Sequence, residues 1–142
     1  MKKGIVIIVC LVMAVLFVRC YEDPTYEAII NCYYSTNGMD KGDPVEGCTI
    51  NIGRDGYAEF AIVRDGITDA AGQFKATFRY EALLTVEGRL DDTELQPIVT
   101  PGGDTIGYNE IKVMHTGKGE VRLLPNEEAT LDLLLLREEL PY

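Results

Sequence analysis

The sequence contains no tryptophan and a single histidine, His115, among its 142 residues. Without tryptophan, a sugar-binding face has only tyrosines to stack on. With one histidine far in sequence from every cysteine, no Cys/His spacing points to zinc, which takes four ligands of that kind in a structural site. No Gly-x-Ser-x-Gly and no His-Glu-x-x-His stretch occurs, so neither a nucleophile elbow nor a helical metalloprotease pair is present. Basic residues are also scarce: 13 Lys and Arg stand against 23 Asp and Glu, a formal net charge of −10. Plain repulsion makes such a chain a poor ligand for nucleic acid or for an anionic membrane surface.

Long apolar runs are equally rare, with one exception at the start. Lys2 and Lys3 precede a fifteen-residue apolar run, Gly4–Val18, followed by Arg19, Cys20, Glu22 and Asp23. A basic tip with an apolar core of this length fits a signal peptide, whereas a membrane-spanning helix needs about 20 residues. The cysteine directly behind the core resembles the lipoprotein signal of bacteria, in which that cysteine is lipidated and heads the mature chain. The resemblance implies residues 1–19 as signal peptide, Cys20 as the lipid-bearing residue, and residues 20–25 as a tether to a domain at 26–142. It also implies an outer-membrane lipoprotein, on the surface or the periplasmic face, with the acidic pair Glu22 and Asp23 similar to a surface-export signal. An uncleaved anchor and an ordinary cleaved signal are the alternatives.

Without residues 1–19, the mature chain has 123 residues, with 23 acidic against 10 basic side chains and a formal charge of −13. That length is one domain with a core of its own. Of the four cysteines, Cys10 lies in the signal core and Cys20 is the lipid site, which leaves Cys32 and Cys48 for the folded part. Two cysteines in an exported domain point to a disulfide, with two small buried hydrophobes as the alternative.

Alternation dominates the rest of the chain. Ala28, Ile30, Cys32 and Tyr34 share one parity, and Cys48, Ile50 and Ile52 another, which is strand periodicity. Paired as a hairpin, the two segments set Ala28 opposite Ile52, Ile30 opposite Ile50 and Cys32 opposite Cys48, within about 5 Å at the β-carbons. Tyr57–Val63 reads as a third strand ending at an Asp65-Gly66 turn. Thr68–Phe74 carries the chemistry of a capped turn, with Asp69 accepting from its own backbone and Gly72 free to take positive φ. From Phe74 to Val86 the even positions are apolar, too long for one strand, so a bend is expected at Arg79–Glu81. Gly88–Asp104, rich in Asp, Pro and Gly, reads as a long loop with room for an edge strand at Leu95–Val99. Its acids Asp91, Asp92 and Glu94 are the candidate binding residues, because long loops of compact domains are often functional. Ile111–His115 and Glu120–Leu124 follow as strands around Gly117-Lys118-Gly119, with His115 half-exposed at a strand end. Leu131, Leu133 and Leu135 alternate as a closing strand, with a helix capped by Asn126 as the alternative.

Pro44–Ile50, Thr68–Phe74 and the closing Val121–Leu123 with Leu131–Leu135 together resemble the carboxypeptidase regulatory-like, or transthyretin-like, family. The resemblance implies an all-β fold: an antiparallel, Greek-key β-sandwich of about seven strands, Ig-like or transthyretin-like, behind the signal helix. The same family includes adhesin modules with a Lys–Asn or Lys–Asp isopeptide link between first and last strands. No lysine lies between Tyr26 and Tyr34, so Asp132 in the last segment has no first-strand lysine and no such link is expected.

These features imply a non-catalytic structural or protein-binding module, tethered to a membrane through the lipid on Cys20, with no catalytic residues, cofactor or metal. A glycan is the alternative partner, read by Tyr33, Tyr57, Tyr80 or Tyr108, of which Tyr80 is expected to face inward. A calcium ion near Asp65 and Asp69 is a further alternative, although calcium wants six to eight oxygens and turn capping accounts for Asp69 without one.

Overall fold

The computed structural model describes residues 22–55 and 60–139. The signal segment, Cys20 and Tyr57 lie outside them. The described residues form seven strands and no helix: β1 (Tyr26–Ser35), β2 (Thr49–Asp55), β3 (Phe60–Ile67), β4 (Gln73–Phe78), β5 (Ala82–Val99), β6 (Thr105–Leu123) and β7 (Glu127–Glu139). They hydrogen-bond in the order β3-β2-β5-β6-β7-β1-β4. The sheet folds over, so residues of both halves meet in one core, and the fold is the all-β sandwich that the sequence implies.

Alternation sets each buried face. Ile30, Cys32, Ile50, Ile52, Val86, Leu123 and Leu135 have no exposed surface, and Ala28, Leu84 and Leu133 have almost none. Each large aliphatic residue so buried contributes about 1.5–3 kcal/mol. The bend expected at Arg79–Glu81 is present: β4 ends at Phe78 beside β1, and β5 starts at Ala82 between β2 and β6. The closing segment is a strand, with β7 lying parallel to β1 from the Tyr26–Glu127 pair to the Ser35–Leu136 pair. Asn126 turns the chain into it with φ 58°. Its side chain accepts the Thr25 N–H at 3.2 Å, and its own N–H reaches the Thr25 carbonyl at 2.8 Å.

Four expectations are corrected. The β1–β2 hairpin does not form, because β1 pairs with β4 and β7 while β2 pairs with β3 and β5. Gly88–Asp104 is not a loop: β5 runs unbroken to Val99, and the turn at its end is confined to Thr100–Asp104, closed by Thr100 N–H to Asp104 carbonyl at 2.9 Å. Gly117-Lys118-Gly119 is not a turn between two strands either, but the middle of β6. Asp65 and Gly66 likewise lie within β3.

Candidate functional site

The β5–β6 hairpin is longer than the sheet that holds it. On one side its neighbour β2 ends the pairing at Thr49–Arg89, and on the other β7, among the described residues, pairs with β6 from Val113 to Thr116. From Leu90 to Val99 and from Thr105 to Lys112 the two strands pair with each other alone, and both outer edges are open among the described residues. Such edges present unpaired backbone N–H and C=O groups, ready to pair with another strand.

Alternation then divides the ribbon's side chains. Glu94 opposes Ile111, Asp92 opposes Val113 and Leu90 opposes His115, and these β6 partners are buried, so this row faces the body of the domain. Leu95, Pro97 and Tyr108 belong to the other row, with Pro97 directly opposite Tyr108. Leu95 is 63% exposed, Tyr108 64%, Val99 55% and Ile106 70%, the last at the bulge where the register shifts beside Val99. This apolar row stands in water on a ribbon that has no third strand among the described residues. Loop composition had pointed to this segment through its acids; the signal missed was the apolar row, spaced two apart at Leu95, Pro97 and Val99.

The three candidate acids do not form one site. Asp91 stands on the outer row, where Arg89 holds it at 3.0 Å. Asp92 and Glu94 face the opposite way, and Glu94 is paired with Arg137 at 3.0 Å. Behind them, burial pushes the Tyr34 phenol above its ordinary pKa, with the charges of Asp92 and Glu94 adding to the effect. Tyr34 meets His115 edge to face, ring centres 5.0 Å apart. His115 is corrected from half-exposed to buried, because β6 continues past it, and its Nδ1 lacks a hydrogen-bond partner.

The other candidates are dispersed. Asp69 is a turn cap: its Oδ1 accepts the N–H groups of Ala71 and Gln73, both at 2.9 Å. Asp65 sits opposite Asn51 in β3, and no group of three Asp, Glu, His or Cys is placed to hold a metal among the described residues. Tyr33 lies under the Lys41 ammonium, and Tyr80, 42% exposed rather than inward, lies under Arg54. It is exposed because the chain turns there. These tyrosines belong to β1, the β4–β5 bend and β6, and form no common stacking platform. A groove of about 800 Å³ crosses the outer face, walled by Asn51, Glu87, Arg89, Lys118 and Asp132, and no aromatic side chain among the described residues lines it.

Asp132 has a lysine after all, though not from the first strand. Lys41, in the β1–β2 connection, reaches its carboxylate at 2.7 Å, and Asn31 donates to the other oxygen at 3.1 Å. The hydrogen bond from Lys41 holds Asp132 below its ordinary pKa and raises that of Lys41, so both groups are kept charged. An amide link needs the neutral amine, and this pairing opposes it.

No protein-family model and no curated protein matches the chain. Among solved structures, the shaft pilin SpaA of Lactobacillus rhamnosus GG overlaps 80% of this chain and 52% of its own length, at 8% identity and a TM-score of 0.46. The N-terminal domain of the same pilin overlaps 82% of this chain and 94% of its own, at 9% identity and a TM-score of 0.39. The chain thus spans about half the length of the longer pilin structure. Overlap at this level assigns neither a family nor a function.

Proposed function

We propose that this chain is a lipid-anchored module of a bacterial cell envelope, tethered through Cys20, that works without chemistry of its own by binding a protein partner along the β5–β6 ribbon. The observation that carries the reading is the exposed row Leu95, Pro97, Tyr108 and Ile106 on a two-stranded ribbon with open edges. A two-stranded hairpin is marginal in water, and a third strand would satisfy its edges and cover its apolar face. The ribbon carries Asp91, Asp92, Glu94, Asp104 and Glu110 against Arg89 and Lys112. Its occupant is therefore an extended, apolar segment of another protein with Lys or Arg beside it. A second copy of this chain would bring the same acidic surplus against itself. A protein is favoured over a glycan because the tyrosines are scattered and two of them are covered by cations.

The test places a photo-crosslinking amino acid at Leu95, and separately at Thr77 on β4, in the chain expressed in its own envelope. Irradiation should trap one protein species from Leu95, lost when Ile106 and Tyr108 are changed to Ser, and none from Thr77. No adduct at Leu95, or the same adducts from both positions, refutes the ribbon as docking site. The mass of the N-terminal peptide reads the tether independently: a chain starting at acylated Cys20 supports it.

A further inference from the structure

Cys32 lies in β1 and Cys48 directly precedes β2, in different parts of the sheet, yet both are wholly buried in the same core cluster. The backbone brings them together. The Cys32 carbonyl accepts the N–H of Val45 at 2.9 Å, and the Cys32 N–H reaches the Gly72 carbonyl at 2.8 Å. Three residues after Val45, the Cys48 N–H reaches Thr68 Oγ1 at 2.9 Å and the Cys48 carbonyl accepts from the Thr68 N–H at 3.0 Å. Both cysteines are thereby fixed against the two ends of the Thr68–Gly72 turn, Cys48 at its start and Cys32 at its close. Both are buried free thiols, close enough that each shifts the other's ionisation. Gly88 contributes room: a Cβ there would stand 3.3 Å from Cys48 Sγ.

The geometry points to an intrachain disulfide between Cys32 and Cys48 that bridges β1 to the start of β2 through the core. The bond would close a loop of fifteen residues, Tyr33–Gly47. It requires an oxidant, a disulfide of the oxidoreductase or glutathione class. As the chain folds and before the pair is sealed in, the thiolate of one cysteine attacks the oxidant's disulfide, forming a mixed disulfide and releasing one thiolate. The second cysteine's thiolate then attacks the bonded protein sulfur, forming the Cys32–Cys48 bond and releasing the other. The two cysteine protons pass to the released thiolates, and two electrons move from the protein to the oxidant. Burial afterwards keeps reductants out. The interaction between the two thiols draws Cys48 below the ordinary thiol pKa and, together with burial, pushes Cys32 above it.

The inference does not depend on the function proposed above, and it is tested on the full chain refolded from the reduced, unfolded state in a glutathione redox buffer. The protein is then denatured, alkylated without reductant and digested. The expected result is a chain lighter by two hydrogens, with Cys32 and Cys48 in one linked peptide pair and unalkylated. Alkylation of both cysteines, glutathione adducts, or linkage between chains overturns it. A second readout uses no cysteine variant: the oxidised protein should melt about 10 °C above its reduced form, as expected for a closed loop of this length in a domain of this size. Equal melting temperatures count against the bond.

Discussion

Gly117 of β6 and Leu134 of β7 approach so closely that a Cβ on the glycine would lie 2.5 Å from the leucine's carbonyl oxygen and 2.9 Å from Leu135 Cδ2. Backbone cannot move aside as a side-chain tip can, so this contact fixes how tightly the two strands pass each other. Gly117→Ala should destabilise the fold by about 1–3 kcal/mol, in the range of overpacked core positions. Gly107 lies on the same strand, where a Cβ would meet only Ile98 Cδ1 at 3.7 Å. Gly107→Ala should stay within about 0.5 kcal/mol of the parent. Urea unfolding midpoints of the two variants check the difference.

Thr68 is the polar link in the core beside the cysteines. It is 3% exposed, its hydroxyl donates to the Val45 carbonyl at 2.6 Å, and the same oxygen accepts the Cys48 N–H at 2.9 Å. Valine matches its shape but leaves both partners buried and unpaired. Thr68→Val should therefore cost about 2–4 kcal/mol, while Thr68→Ser, which keeps the oxygen, should cost about 1 kcal/mol or less. A valine variant as stable as the serine variant would mean that water or a backbone shift repairs the loss.

Asp40 organises the exposed connection after β1. Its carboxylate accepts from the Ser35 and Thr36 hydroxyls at 2.8 and 2.9 Å and from the Thr36 and Asn37 N–H groups at 3.1 and 3.3 Å. The Ser35 and Thr36 hydrogen bonds lower its pKa from 3.8 to about 2. Because the folded value lies below the unfolded one, the stabilisation is complete above pH 4 and fades as pH falls through about 2. A carbon-detected NMR titration should find the Asp40 carboxyl half-protonated near pH 2, with the Thr36 and Asn37 amide shifts following it. Asp40→Asn should lower the unfolding midpoint at pH 7 and match the parent in strong acid. An ordinary titration near pH 4 would show that the hydrogen bonds do not hold in solution.

Local chemistry was legible in the sequence where it acts over a few residues, and pairing was not. The Asp69 turn has the geometry its residues imply, with Gly72 at φ 73°, and the bend at Arg79–Glu81 lies where alternation outruns a strand. Alternation also named the faces of Cys32 and Cys48 correctly, since both point into the core. It set them in a hairpin, however, because a periodicity of two records which side a residue faces and not which strand lies next to it. They meet through the core, between strands that are not neighbours. The ribbon was hidden for a related reason: with no buried face over Leu95–Val99, its composition carries the mark of a loop. Gly117-Lys118-Gly119 carries a turn's composition inside a strand because close strand passage and a turn both call for glycine.

The ribbon's apolar row should separate binding from stability. Leu95 and Tyr108 contribute little to the core, being 63% and 64% exposed, so Leu95→Ser with Tyr108→Ser should shift stability by no more than about 1 kcal/mol. The same pair of changes should weaken capture of the partner trapped at Leu95 by tenfold or more, as loss of central apolar anchors does. Charge should act differently. Asp104 lies in the turn at the ribbon's end and Glu110 opposite Leu95, so neither sits in the core. Asp104→Lys with Glu110→Lys should slow association and flatten its dependence on salt, because surface charges steer encounter. Surface-bound kinetics at low and physiological salt read both effects. If the serine pair unfolds the domain, the row belongs to its core; if the lysine pair speeds association, the partner is acidic and the charge argument fails.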